Sequence, residues 1–494
     1  MAEKARDNLR WWILLTVIIG TFMGGLDQTI VNLAMPKIMN DFSITLTEVS
    51  WIATAYILAN AVFVPVWGKL GDTMGRKKIY MLGFSIFIVG SILVAFSWDL
   101  NSMIFFRVIQ AIAVSANYPT AMAILTVTFK DAKERGEALG IWSSAFAASS
   151  VLGPLIGGPL IDNFGWRSIF LINIPVGLIG LAMAFTFVRE SVSERRTVKF
   201  DIWGALTLGV ALSSLVLVLN QGIDWGWTSN ASLACYAVML VFAYIFVRIE
   251  QNHPEPIVDL KFFKHSAFVS TLANNFIVFM GMMGSLFIIP NFTQNFLGYG
   301  ATQTGYLFMP MAVAMMIAAP FGASLIGKVQ PRYVIAFSTL VASFGLLLFL
   351  GLDVRSTALD IVVPVFVMAL GMGFGMAQRT TIISSTVPEH EIGAASSVLA
   401  LARNIAGAFG IAFFATIQSD AVKNAAIALS QNSTISALTP SVVQQVVALI
   451  YLKAQIISYH TVFLWGFAIL LIGSALALTI NVKETKTGKE VLID

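Results

Sequence analysis

The sequence predicts an all-α membrane protein of fourteen transmembrane helices, built as two six-helix bundles with two further helices between them. Three observations predict it. The 494 residues are 57% hydrophobic and only 11% charged, where a soluble domain carries about 25% charged residues. The apolar residues come in long uncharged runs such as 79–96 and 462–480, and runs of about 18 or more read as membrane-spanning helices. The connections between runs alternate in charge: 22 of the 30 Lys and Arg fall on the side that holds both chain ends. Such an excess marks the cytoplasmic side of a membrane protein.

Taken in order, the spans fall at 12–35, 49–70, 79–97, 102–126, 137–161, 167–188, 202–221, 231–249, 266–290, 303–326, 333–351, 360–385, 394–418 and 456–481. The first follows a short polar tail and carries Asp27. Residues 1–190 form the first bundle, 191–265 hold linkers and two extra helices, and 266–494 form the second bundle. Residues 420–455 are a long external segment. Its apolar stretch, 442–452, is too short to span and reads as an interfacial hairpin. Both termini lie in the cytoplasm of a prokaryotic cell, and the membrane is its plasma (inner) membrane.

Several function classes drop out. The net charge of +4 is a topology signal and not a nucleic-acid signal. Cys235 is the single cysteine, and the four histidines are scattered, so neither a disulfide nor a metal site is expected. No Gly-rich loop ends in Gly-Lys-Ser/Thr, which argues against an ATP-driven pump. No enzyme activity and no cofactor are expected.

The chain also repeats itself weakly. Gly136 and Gly393, like Gly153 and Gly410, lie 257 residues apart, and Arg76 and Arg332 lie 256 apart. A near-constant offset across eight spans predicts two related bundles with a site near their interface.

Asp27 is the one carboxylate deep in a span. Such a charge costs about 2.5–3.5 kcal/mol on insertion scales and faces a cavity or a partner. Two roles are open to it: taking and releasing a proton, or a fixed ion pair with a buried Arg. Arg107, Arg379 and Arg403 also fall inside spans, so at least two buried cations lack a carboxylate. Backbone carbonyls or an anionic substrate would satisfy them. The segment Gly68-Lys69-Leu70-Gly71-Asp72-Thr73-Met74-Gly75-Arg76-Lys77-Lys78 reads as a tight cytoplasmic turn. In it Asp72 can accept from amides at a helix start, and Arg76 can clamp a facing carboxylate. In span five, Gly153 and Gly157 share one helix face and permit close packing. Gly158 follows, and Pro154 and Pro159 allow a bend.

These motifs resemble the major facilitator superfamily, and within it the fourteen-span drug:proton antiporters of the EmrB/QacA type. The stretch from Leu26 to Pro36 is similar to the family's first-span signature. The Gly68–Lys78 turn resembles the superfamily loop motif, with Thr73 in place of a usual Arg. Arg107-Val108-Ile109-Gln110-Ala111 resembles the fourth-span motif, with Ala111 in place of a usual Gly. Residues 153–159 resemble the antiporter motif, and Trp166–Gly177 and Ala402–Gly407 are also similar to the family. The resemblance implies alternating access, with a proton as coupling ion moving inward as a small amphipathic substrate moves out. Asp27 would be the proton-coupling residue, with Asn32, Arg107, Gln110, Arg379 and Arg403 around the central cavity. It implies a monomer in the lipid bilayer. In relatives from two-membrane bacteria a periplasmic adaptor and an outer-membrane channel are partners. Second-half acidic residues found in some relatives have no match, and Arg379 stands where an apolar residue is usual. Export of a specific metabolite, siderophore, lipid or anionic compound therefore stays open as the alternative.

Overall fold

A computed structural model describes residues 2–129, 132–191, 201–254, 256–387, 392–431, 440–481, 483–484 and 491–492. The fold is all-α. In the first part of the chain run α1 (Ala2–Phe42), α2 (Leu46–Met74), α3 (Arg76–Ala95), α4 (Leu100–Val114), α5 (Asn117–Thr128), α6 (Ala132–Phe164), α7 (Ser168–Leu171) and α8 (Asn173–Phe187). Next come α9 (Ile202–Trp225) and α10 (Asn230–Asn252). Then follow α11 (Ser266–Asn295), α12 (Ala301–Tyr306), α13 (Met309–Ser324), α14 (Pro331–Leu348), α15 (Ala358–Ser385), α16 (Ile392–Gln431) and α17 (Pro440–Ala477).

Among the described residues, 13 helical segments are long and apolar enough to cross a membrane. The helix α6, 33 residues long, stands where the fifth span is expected and completes fourteen. Three expected single spans are each broken, into α4/α5, α7/α8 and α12/α13. The breaks share one feature. Each lies about four residues before a proline, at Pro119, Pro175 and Pro310. A proline has no N–H for the carbonyl four residues back, and its ring crowds that carbonyl.

Helix starts follow their side chains. Thr45 and Glu48 cap α2 reciprocally, the Thr45 amide donating to Glu48 at 2.7 Å. Asp99 and Ser102 do the same for α4. Ser102 holds the Asp99 carboxyl below the usual carboxylate range.

In the first part, α1 packs on α6, α8 and α5, while α3 packs on α4 and α8. In the last part, α11 packs on α16 and α17, and α15 on α13 and α14. Helix pairs α2–α16, α6–α12 and α1–α11 join the two. Gly153 and Gly410 make matching contacts. A Cβ on Gly153 would strike Thr29 of α1, and one on Gly410 would strike the Met280 carbonyl of α11. The helix α9 lies against α2 and α16. The helix α10 packs on α9 and has only 11% of its apolar window buried, so most of it is left to lipid.

Two expectations need revision. The loop segment is not a turn from residue 68: α2 runs on to Met74, and the chain breaks at Gly75, whose φ of 110° suits glycine. The external segment carries no separate hairpin among its described residues. Residues 420–431 continue α16 and 440–455 begin α17.

Candidate functional site

Asp27 sits on α1 with no exposed surface, and Arg107 on α4 is 1% exposed. Arg107 Nη1 donates to Asp27 Oδ2 at 2.6 Å and to Gln110 Oε1 at 2.6 Å. The spacing explains the second bond, since residues three apart on a helix share a face. The other carboxylate oxygen, Oδ1, accepts from Gln110 Nε2 at 3.2 Å and from Asn173 Nδ2 of α8 at 3.1 Å. Ser91 of α3 accepts from both amides, at 2.7 and 3.3 Å. Gly90 lets α3 come this close, since a Cβ there would lie 3.1 Å from Gln110 Cα. The Tyr56 ring of α2 lies 3.8 Å from the Arg107 guanidinium carbon. Five helices thus hold one carboxylate–guanidinium pair out of water. The arrangement can bind a proton at Asp27, at the cost of breaking the charge pairing with Arg107.

A second structure lies at the seam between the two parts. Gly157 seats α6 on Ile30 of α1, and Gly158 seats it on α12, where a Cβ would lie 2.5 Å from Thr302 Cα. The Pro154 carbonyl rests against Gly305. At the end of α6, Asp162 accepts from the Thr302 amide at 2.7 Å, the Ala301 amide at 3.1 Å and Lys37 Nζ at 2.9 Å. Burial pushes this carboxyl up, but those donors outweigh it and hold it at about 2. Gln294 of α11 donates to the Leu33 carbonyl of α1 at 2.9 Å nearby. This end of the seam is shut. Just inside it is a cavity of about 10 Å³, lined by Thr29, Asn32, Leu33, Pro154, Leu286, Pro290 and Phe308. Asn32 Oδ1 is buried there without a hydrogen-bond partner. Pro159 lies one turn on, its carbonyl accepting from Asn163.

Residues 17–411 match the model of the family described as Major Facilitator Superfamily. The chain belongs to the major facilitator superfamily. It is 31% identical to the multidrug transporter protein MdtP of Bacillus subtilis over 423 residues, 85% of this chain and 77% of that one. It is 30% identical to the riboflavin transporter RibZ of Clostridioides difficile over 82% of this chain and 88% of that one. Its fold matches a bacterial homologue of the human lysosomal transporter Spinster, crystallised inward-facing and unoccupied, with a TM-score of 0.69. That match, at 16% identity, covers 97% of this chain and 99% of that one. The chain is therefore a multi-pass membrane transporter of small molecules.

The superfamily loop motif is partly described. Gly68 lies inside α2, and the side chain of Asp72 falls outside the described part. Glu190 accepts from the amides of Lys77 and Lys78 at the start of α3, at 3.0 and 3.2 Å. Lys77 Nζ donates to the Phe185 carbonyl at 2.7 Å. The Arg76 amide donates to Ser191, and its Nη1 to the Ala123 carbonyl at 3.3 Å. All of these partners lie in the first bundle or, in the case of Ser191, at its end.

The two remaining membrane arginines differ in kind. Arg379, 3% exposed, donates to Asn274 at 2.7 Å, Thr339 at 2.9 Å and Ser338 at 3.0 Å. Arg403 has buried Nε and Nη2 atoms with no hydrogen-bond partner. Sequence reasoning missed Asn173 as an Asp27 partner, Ser91 as the acceptor that holds Gln110 and Asn173, and Lys37 and Asp162 as a seam pair. Asn173 stands in the Trp166–Gly177 stretch, and a polar residue in so apolar a span was the available signal.

Proposed function

We propose that the chain is a secondary active transporter of the bacterial inner membrane, exporting drugs or other small amphipathic compounds from the cytoplasm in exchange for protons. Both termini face the cytoplasm, and the shut seam at Asp162 and Thr302 faces outward. The Asp27–Arg107 pair carries this reading. It is a buried, titratable charge pair between helices of a transporter fold, where a functional role is the default for an ionisable group. A proton arriving on Asp27 leaves Arg107 buried without its counter-charge. Breaking such a pair costs about 3–5 kcal/mol, comparable to the roughly 2.3 kcal/mol per charge that each 100 mV supplies. The proton reaches Asp27 from outside while the seam is open outward; breaking the pair moves Gln110, Asn173 and α4 to a second arrangement, substrate leaves, and the seam shuts. On the cytoplasmic side substrate binding expels the proton from Asp27 to the cytoplasm, the pair re-forms, and the seam opens outward again. The coupling ion is the proton, no cofactor takes part, and a monomer suffices.

The test is accumulation of an amphipathic dye by proteoliposomes holding purified protein and an imposed pH gradient. Accumulation that collapses with a protonophore is expected. Uptake indifferent to the gradient would overturn the reading. Arg403 favours a second reading, export of a specific metabolite or anionic compound.

A further inference from the structure

Three arginines lie within the membrane region, and they differ in how their charge is met. Arg107 has Asp27. Arg379 has three neutral oxygens. Arg403 has an aromatic ring, Phe279 of α11, whose centroid lies 4.9 Å from its guanidinium carbon. A ring face attracts the cation but offers no acceptor for N–H groups. Two buried guanidinium nitrogens without acceptors are rare in native proteins and call for an explanation.

The surroundings supply one. Tyr118 of α5, in the other bundle, lies close enough to Arg403 to act on its charge. Tyr118 rests on the Trp142 ring of α6, with centroids 5.0 Å apart. Trp142 in turn donates to Thr21 of α1 at 2.7 Å. One residue along, Asn404 donates to Asn60 of α2 at 3.1 Å, so both bundles contribute to this spot. Arg403, Tyr118, Phe279, Asn404 and Asn60 are each only partly buried, unlike the sealed Arg107 and Arg379. No carboxylate among the described residues pairs with Arg403, and the nearby charge of Arg379 repels it.

We infer that Arg403 is the docking point for the anionic group of an aromatic substrate, with Tyr118 and Phe279 receiving its ring system. The planar fork of a guanidinium suits a carboxylate, which fills two N–H positions at once. The aromatic faces suit a flat ring stacked between the bundles. This inference rests on the transporter reading and names its substrate class as aromatic monoanions.

The test uses equilibrium binding to the purified full-length protein in detergent, with no gradient. The probes are anthracene-9-carboxylate and its neutral carboxamide, followed by their own fluorescence. Wild type is expected to bind the carboxylate at least about tenfold more tightly, the scale of one charge-assisted hydrogen bond. In Arg403→Gln that ratio should fall to about one. In Arg403→Lys, which keeps the charge and loses the fork, it should be intermediate. The wild-type ratio needs no variant, so the inference stays open to refutation if Arg403→Gln does not fold. Equal binding of both probes by wild type, or a ratio unchanged in Arg403→Gln, would overturn it. Either result would leave proton-driven export standing, because binding is read here without transport.

Discussion

Arg107 and Asp27 meet at 2.6 Å although 80 residues separate them, and water reaches neither. The pair ties α4 to α1, and Gln110 is bonded to both members. Arg107→Gln leaves a buried carboxylate without its cation. Thermal melting in detergent should show a loss of stability on the order of 3–5 kcal/mol, and transport should vanish. In the double variant Asp27→Asn/Arg107→Gln much of the stability should return, because no unpaired charge remains. Transport should not return with it. A double variant as unstable as Arg107→Gln alone would count against the pair as the source of the loss.

Gly158 and Thr302 define how tightly α6 closes on α12. A methyl at Gly158 would meet backbone, Thr302 Cα at 2.5 Å and the Ala301 carbonyl at 2.8 Å, and neither can rotate away. Gly158→Ala should hold the seam ajar. Polar maleimide labelling of a cysteine at Ala301, buried in the shut seam, should rise several-fold from the outside, while transport falls and expression stays normal. Labelling equal to that of the Gly158 parent would show that closure tolerates the methyl.

Asp162 gives a pH prediction with a definite sign. Its carboxyl sits at about 2, below the ordinary value of about 3.9. A depressed carboxyl contributes holding strength that is fully present above the ordinary value and lost as pH falls toward 2. The clasp with Lys37 and the α12 amides is therefore constant between pH 5 and 8. Asp162→Asn should change the transport rate without changing the shape of its pH profile over that range. A profile whose midpoint moves would assign proton sensing to this clasp.

Arg379 is bonded on three sides and sealed, so its removal strands Asn274 Oδ1, while Ser338 and Thr339 keep their bonds to the Ile335 carbonyl. An unsatisfied buried polar group costs about 1–3 kcal/mol. Arg379→Ala should lower the melting temperature and weaken cationic and anionic dyes alike. A change confined to one charge class would place Arg379 in the substrate pathway instead.

Much of this arrangement was legible in the sequence, for physical reasons. Charge-free runs of about twenty residues admit little besides spanning helices. Gly153 and Gly157, four apart, announced the face that meets α1. The broken spans were less legible because a proline in an apolar run fits a continuous helix, as Pro290 does in α11, as well as a broken one. The partner of Asp27 was also out of reach. Arg107, Arg379 and Arg403 are alike in one dimension, and only the packing of α4 on α3 and α1 on α8 brings Gln110 and Asn173 to the same carboxylate, with Ser91 behind them. The loop segment read as a turn because its glycines and charges suggest one. In the fold the membrane helix α2 simply continues until Gly75 stops it.

The most direct test concerns Asp27 itself. Proton release is measured from purified, detergent-solubilised protein in weak buffer when a transported dye is added. Wild type should release protons, because substrate binding and a proton on Asp27 favour opposite arrangements of the Arg107 pair. Asp27→Asn keeps the shape and the bonds from Gln110 and Asn173 within reach, but it cannot ionise. Its release should fall to background while a neutral substrate still binds. Undiminished proton release from Asp27→Asn would remove Asp27 from the mechanism and contradict the central claim.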